Sequence, residues 1–184
     1  MRSDDMLYRA FLGGDTSSYD ELLIRYGDVL TGYLNGYLHD WQDAEDLMVE
    51  AFARIMVKRP QIREGGFKAY LFKTARNLAA RFHHRMSRLD LFSPEEAEPE
   101  AGTENLPEEN LRERERKRAL NECLRRIDPD LREALWLVYA EDLSYADAAT
   151  VMGVSRKRVD KLLQRGKNVL RKELEKEGIT NAYE

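Results

Sequence analysis

Apolar residues recur every three or four positions through most of the chain, and the strict alternation typical of half-buried strands is almost absent. This period predicts helices at 4–12, 17–38, 42–58 and 67–89 in the first half, and at 111–126, 129–141, 144–152 and 155–174 in the second half. The sequence therefore indicates an all-α protein.

The helical pattern is interrupted between residues 90 and 110. This stretch holds three of the five prolines and seven glutamates, with no Lys or Arg. It has too little apolar surface to offset the entropy lost on ordering, so residues 91–110 are predicted to form a flexible acidic linker. The linker would join two small helical domains, a helical bundle at 1–90 and a second domain at 111–184.

The segment LSYADAATVMGVSRKRVDKLLQRG at residues 143–166 predicts two helices joined by a tight turn, a helix-turn-helix. Ser144 and Ser155 are suitable N-cap residues for the two helices. Gly153 supplies the left-handed residue that ends the first helix. The apolar face of the second helix would consist of Val159, Leu162, Leu163 and Gly166.

The opposite face of this second helix is predicted to bind DNA. Its side chains donate hydrogen bonds to phosphates and base edges, and a helix docked in the major groove would present them to a duplex. The predicted contacts are Ser155, Arg156, Lys157, Arg158, Lys161, Gln164 and Arg165. The alternative is that these residues only solvate a surface helix, although the turn glycine and the apolar residues in register favour DNA binding.

The helix predicted at 42–58 carries acidic residues beside its apolar stripe. Asp43 and Glu45 lie at the helix start, where the helix dipole alone would favour them. Glu50 lies more than one turn further along the helix, and that argument explains it less well. An acidic face that binds a basic protein partner explains Asp43, Asp46 and Glu50 together.

The helix predicted at 67–89 is basic, with six Lys or Arg, two His and no acid. Its predicted exposed stripe consists of Tyr70, Lys73, Asn77, Arg81, His84 and Arg88. An aromatic ring, an amide and cations on one stripe suit single-stranded DNA, whose bases stack and whose phosphates need positive charge. The alternative for Phe67, Phe72 and Phe82 is that they belong to the core.

Several classes of protein are not favoured by the sequence. The single cysteine, Cys123, allows no intramolecular disulfide, and the adjacent His83 and His84 point to different helix faces, so no metal or other cofactor is predicted. No nucleotide-binding loop or catalytic motif is present, so an enzyme is not expected. The N-terminus lacks the pattern of a signal peptide, and the longest apolar run, seven residues, is too short for a bilayer. A soluble cytoplasmic protein without membrane insertion is expected.

Four segments in order resemble a bacterial RNA polymerase sigma factor of the extracytoplasmic-function (ECF) group. They are GGDTSSYDELLIRYGDVLTGYL, DAEDLMVEAF, FKAYLFKTARNLAARFHHR and the helix-turn-helix stretch that runs on to NVLRK. The resemblance covers nearly the whole chain. It implies a factor without chemistry of its own that docks on core polymerase, melts the −10 promoter element and reads the −35 element.

The resemblance also implies roles for residues and partners. The polymerase would be contacted at its β′ clamp helices and β flap, and an anti-sigma factor would inhibit the protein until a stress signal arrives. Core polymerase would be bound by Asp43, Glu45, Asp46, Glu50 and Phe52. The −10 element would be bound by Tyr70, Lys73, Arg76, Asn77 and Arg81, and the −35 element by the residues of the helix-turn-helix already given.

Several positions depart from the pattern common in this family, among them Lys157 and Arg158, which replace a Gly-Thr pair in the recognition helix. Val49 stands where a glutamine often precedes the glutamate of the clamp-binding segment, and Asp160 stands where a basic residue is common. A carboxylate at position 160 repels phosphate, but it can accept a hydrogen bond from a cytosine amine. The alternative function is a stand-alone helix-turn-helix regulator that binds duplex DNA without polymerase, but it would leave the acidic and single-strand stripes unexplained.

Overall fold

The computed structural model describes residues 2–89 and 111–178, with the side chains of 2–85 and 118–178. The predicted linker at 91–110 lies outside the described residues. Within the described ranges the regular secondary structure is entirely helical, which confirms the all-α prediction. The chain divides into two compact units, one containing residues 2–89 and the other residues 111–178.

The first unit consists of four helices: α1 Asp4–Leu12, α2 Thr16–Leu38, α3 Trp41–Lys58 and α4 Phe67–Leu89. The first three begin at side-chain N-caps, which are Ser3, Asp15 and Asp40. Each cap oxygen accepts a hydrogen bond from a backbone N–H that the helix itself leaves without a partner. Helix α2 packs against the other three helices of the unit.

Aromatic side chains fill much of the core between these helices. The rings of Phe11 on α1 and Tyr19 on α2 lie with their centroids 4.5 Å apart, and Tyr19 meets Phe52 on α3 edge to face. The Tyr19 hydroxyl also donates to the Phe52 carbonyl oxygen at 2.6 Å. Tyr33 on α2 packs against Phe72 on α4 with centroids 5.0 Å apart. These contacts fix the relative rotation of the helices about their axes.

Helix α1 also holds the loop between α3 and α4 in place. The Tyr8 hydroxyl donates to the Pro60 carbonyl oxygen at 2.7 Å. The Gly65 N–H donates to the Asp5 carboxylate, at 3.0 and 2.8 Å from its two oxygens, where Gly65 adopts a left-handed φ of 69°. Burial, the largest effect, raises the pKa of Tyr8 to about 12. The loop is thus tied to α1 immediately before α4 begins.

The second unit contains α5 Leu111–Arg125, α6 Pro129–Leu135, a π-helical turn Trp136–Ala140, α7 Tyr145–Met152 and α8 Arg156–Lys176. Helix α8 packs against α5, α6 and α7. At Gly166 it passes so close to α6 that an added Cβ would lie 3.2 Å from Leu135 Cδ1. The predicted helix at 129–141 changes at Trp136 to the wider turn, after which the Leu143 N–H donates to the Leu137 carbonyl oxygen. Both of these leucines lie in the core.

Candidate nucleic-acid interfaces and protein-docking face

Helices α7 and α8 form the predicted helix-turn-helix. Ser144 Oγ accepts a hydrogen bond from the Asp147 N–H at 3.1 Å and donates one to Asp147 Oδ2 at 2.6 Å. The N-cap hydroxyl and the Asp147 residue are thus hydrogen-bonded to each other in both directions. Gly153 ends α7 with a φ of 68°, and Ser155 Oγ accepts from the Arg158 N–H to begin α8. The predicted caps and turn residue are therefore confirmed.

Helix α8 separates an apolar face from a cationic face. Val159, Leu162, Leu163 and Gly166 are buried, as predicted. The predicted DNA contacts are exposed: Ser155, Arg156, Lys157, Arg158, Lys161, Gln164 and Arg165. Lys157, Lys161 and Gln164, spaced by four and three, lie along the centre of this face, with Asn168 four residues further on. The sequence thus brings its predicted duplex contacts together on one rigid element.

One acidic side chain lies beside this cationic face. Asp160 is half-buried, and Gln164 Nε2, one turn further along α8, donates to its Oδ2 at 3.3 Å. Arg158, on the other flank, lies 4.0 Å from Asp130 at the start of α6. The hydrogen-bonding groups of Gln164 are therefore oriented by a neighbour on the same helix.

Helix α3 presents the predicted acidic residues at different depths. Glu45 and Asp46 are exposed, whereas Asp43 and Glu50 are half-buried at the flank of the helix. Burial, followed by the neighbouring charges of Asp40 and Asp46, raises the pKa of Asp43. Glu45 and Asp46 are therefore the predicted acids of this helix that lie most fully in solvent.

Phe52 does not belong to this exposed face, although the sequence predicts it among the contacts of core polymerase. Its side chain is 3% exposed and packs against Tyr19. Phe52 lies on the stripe that faces α2, because it follows Ala44 and Leu47 on the buried side of α3. In this conformation a partner would not reach it.

The sequence reasoning missed an exposed apolar strip on α3. Val49, Met56 and Val57 are 55%, 45% and 78% exposed, and half-buried Ala53 lies between them. Their spacing of 4, 3 and 1 places them on the side of α3 that points away from α2. The apolar period predicts Met56 on the core stripe of α3, which is wrong, because its side chain is 45% exposed. The apolar residues outside that stripe were the available signal. The acids and this apolar strip together form what we call the α3 docking face: Glu45, Asp46, Val49, Ala53, Met56 and Val57.

Helix α4 carries the predicted single-strand contacts. Lys73, Asn77 and Arg81 are exposed along one line, and Tyr70 is half-buried at its start. Arg76 is half-buried on the flank of that line, so it lies apart from the other four. For Phe67 and Phe72 the core alternative holds, since both are buried, whereas Phe82 is half-buried. We call the line of Tyr70, Lys73, Asn77 and Arg81 the α4 stripe.

A shallow cleft separates α3 from the C-terminal half of α4. It is lined by Glu50, Arg54, Leu78, Ala80, Arg81, His84 and Arg85. Glu50 is ion-paired with Arg54 at 2.6 Å, and the two charges cancel. The net charge of the cleft therefore comes mainly from the side chains of α4. The cationic surface of the first unit thus extends from the α4 stripe toward α3.

In residues 2–89 and 111–178 no group of three or more His, Cys, Asp or Glu side chains is arranged to hold a metal ion. Over the same ranges, no helix combines the length and apolar character that crossing a bilayer requires.

Comparison with known proteins relates each unit to a described family. Residues 22–89 match the family model of Sigma-70 region 2, and residues 117–170 match that of Sigma-70, region 4. The chain is 30% identical over 172 residues to the RNA polymerase sigma-H factor of Pseudomonas aeruginosa, covering 85% of this chain and 88% of that protein. It is 29% identical over 160 residues to the ECF RNA polymerase sigma factor BldN of Streptomyces coelicolor, covering 85% of this chain and 60% of that protein.

Solved structures share the fold. The sigma factor RpoE of Bartonella quintana, crystallised with the anti-sigma factor NepR, matches with a TM-score of 0.68 at 23% identity, over 85% of this chain and 96% of that chain. CnrH, solved in complex with the cytosolic domain of CnrY, matches with a TM-score of 0.63 at 20% identity, over 94% and 97% of the two chains. At these identities the likeness concerns the fold alone.

Proposed function

The chain belongs to the sigma-70 family of RNA polymerase sigma factors, in its ECF group, and from this premise we propose which surfaces carry its function. It is an alternative sigma factor that serves promoter recognition in transcription initiation. The stand-alone regulator is not favoured, because the chain matches the family over both units rather than over the helix-turn-helix alone.

The cationic face of α8 is our proposed −35 reader. It lies on the second helix of a helix-turn-helix, the element that enters the major groove in proteins of this motif. Lys157, Lys161 and Gln164 lie along its centre, and a lysine or glutamine there can contact phosphates or base edges. This arrangement of a capped turn and a cationic outer face is the single observation that carries the proposal.

The α4 stripe is our proposed −10 surface. Exposed cations at Lys73 and Arg81 would attract the phosphates of an opened strand, and the Asn77 amide between them would hydrogen-bond an unstacked base. Tyr70 offers part of a ring for stacking at the start of the stripe. Because these groups lie on a packed helix rather than a loop, they would capture the strand with little ordering cost.

The α3 docking face is our proposed contact for core polymerase, at the clamp helices of its β′ subunit. Glu45 and Asp46 would pair with cations there, and Val49 would bury apolar surface beside them. Val49 therefore adds an apolar contact at the position where the family often has glutamine. The second unit would reach the β flap of the same polymerase.

An anti-sigma factor is a further proposed partner. Two proteins of the same fold have been solved with a protein partner, the sigma factor RpoE with the anti-sigma factor NepR and CnrH with the cytosolic domain of CnrY. A partner of this class would compete for surfaces that the polymerase needs. Such a factor performs no chemistry itself, and it would act in the cytoplasm, where polymerase and promoter DNA are found.

The test is transcription in vitro with purified chain and bacterial core polymerase. We expect promoter-specific transcripts only when the chain is added, and footprints that require polymerase. Strong, specific footprints without polymerase would favour the stand-alone regulator instead.

Asn77→Ala should impair promoter opening more than closed-complex binding, while Ala80→Ser, a matched exposed position on α4, should leave both unchanged.

A further inference from the structure

Asp160 differs in charge from the residues around it on the proposed −35 reader. It is the only acid between Arg156 and Lys172, a span that carries eight Lys or Arg. Within the described part of the chain, Asp160 forms no ion pair with any of these cations, and it accepts a hydrogen bond from Gln164. A carboxylate placed next to DNA phosphates weakens binding to every sequence alike. A hydrogen bond from one particular base to this carboxylate would offset the weaker phosphate binding, and only at sites that contain that base.

The hydrogen bond to Gln164 determines what this pair offers to DNA. Gln164 Nε2 uses one N–H on Asp160 Oδ2, which leaves its second N–H and Oε1 to bind a base. Asp160 Oδ1 remains as an acceptor. An amide with one free donor and one free acceptor matches adenine N7 and N6, and a carboxylate matches the N4 amine of cytosine. Since the two side chains already hold each other, less rotamer entropy is lost on binding.

We propose that Asp160 and Gln164 act as one specificity-determining pair in the −35 element. Asp160 accepts from the exocyclic amine of a cytosine, and Gln164 reads a neighbouring adenine in the orientation that Asp160 imposes. This inference rests on the proposed function, because it requires α8 to lie in the major groove. It adds the base identity that this chain selects through a carboxylate within an otherwise cationic span of α8.

The experiment measures binding of the complete factor with core polymerase to promoter duplexes in which each −35 base pair is varied singly. We expect the wild-type complex to favour cytosine at one position by roughly 5- to 150-fold, the range of one good base contact. Asp160→Ala should reduce that preference to about twofold and strengthen binding to the other three base pairs, because a phosphate-repelling charge is removed. Asp160→Asn should shift the preference at that position from cytosine toward adenine, which an asparagine amide reads.

Asp130→Ala provides the matched control. Asp130 also lies beside the cationic face, 4.0 Å from Arg158, but at the start of α6. Its removal should change affinity for all −35 sequences equally and leave the cytosine preference intact. Gln164→Ala should abolish the preference for adenine at the adjacent position.

Two outcomes distinguish failure of the Asp160–Gln164 proposal from failure of the proposed sigma-factor function. If Asp160→Ala changes affinity for all sequences equally while the wild-type complex still selects −35 sequences, the pair is refuted and the sigma function stands. If the wild-type complex shows no −35 preference and no promoter-specific initiation, the proposed function itself fails, and the pair with it.

Discussion

Arg54 lies one turn along α3 from Glu50 and donates two hydrogen bonds to the same carboxylate oxygen of Glu50. The donors are Nε at 3.0 Å and Nη2 at 2.6 Å. Both side chains are partly exposed, so the pair adds little to stability. It matters for recognition, because Glu50 already has a cation beside it. Among the described residues, Asp46 has only a long 3.5 Å hydrogen bond from Gln42, so its charge is available for a partner.

This difference predicts unequal losses of affinity for core polymerase. Asp46→Asn should weaken binding about tenfold, or about 1.4 kcal/mol, because it removes an unopposed charge from the α3 docking face. Glu50→Gln should weaken binding by about threefold or less. Titration of labelled polymerase with each variant measures both effects, and an equal loss for the two would contradict the assignment.

Lys161 predicts a change in the salt dependence of −35 binding. In Lys161→Ala, the slope of log affinity against log salt concentration should fall by about one, because one fewer phosphate is neutralised. Lys176, near the end of the same helix, is paired with Glu173 at 2.5 Å, and Lys176→Ala should leave the slope unchanged. Binding isotherms at several salt concentrations provide the measurement. A slope unaffected by Lys161→Ala would remove this residue from the phosphate contacts.

The raised pKa of the buried Tyr8 hydroxyl leads us to expect that the first unit loses stability in alkali. The folded pKa of Tyr8 is raised to about 12, whereas an unfolded tyrosine has a pKa near 10, so folding favours the protonated hydroxyl. Its contribution is complete below pH 10 and is lost as the pH rises toward 12, since the unfolded chain then binds fewer protons. Tyr8→Phe should lower the free energy of unfolding by about 0.5–1.5 kcal/mol at neutral pH, through loss of the bond to Pro60.

Denaturant titrations of wild type and Tyr8→Phe between pH 8 and about pH 12 test this dependence. The difference in unfolding free energy between the two proteins should shrink as the pH rises above 10. A difference that stays constant across this range would show that the hydroxyl titrates normally in the fold.

Gly166 predicts a steric limit at the crossing of α6 and α8. In Gly166→Val the added side chain meets Leu135, and overpacking of this kind costs about 1–3 kcal/mol of unfolding free energy. Arg165→Val, which places the same side chain at the neighbouring exposed position, should cost less than about 1 kcal/mol. Chemical unfolding of the full chain, followed by a probe in the second unit, compares the two. Equal costs would mean that the crossing relaxes without strain.

The helices and the helix-turn-helix were predictable because their signals are local. Ser144, Gly153 and Ser155 mark helix ends through their own hydrogen bonds and backbone angles, so short windows of sequence suffice to place them. The outward positions of Lys161 and Gln164 follow from the helical period alone. The residue roles assigned from the family resemblance remain predictions for the experiments above.

Features that depend on tertiary contacts were less accessible. The period of α3 places Phe52 on its apolar side, but that its ring meets Tyr19 depends on where α2 packs. The exposure of Val57 likewise became evident only when no other described helix covered it. The bond between Asp5 and Gly65 joins residues 60 positions apart, a separation that periodicity does not reach.

The attachment of α1 to the α3–α4 loop bears on where this molecule can be cut. The region matched to the family model begins at residue 22, after α1 has ended. A fragment trimmed to that border would lack Asp5 and Tyr8, so the loop that leads into α4 would lose its hydrogen bonds to both side chains. Fragments made for crystallisation or inhibitor screening of the first unit should therefore begin before Asp4, so that the helix bearing the α4 stripe keeps its native approach.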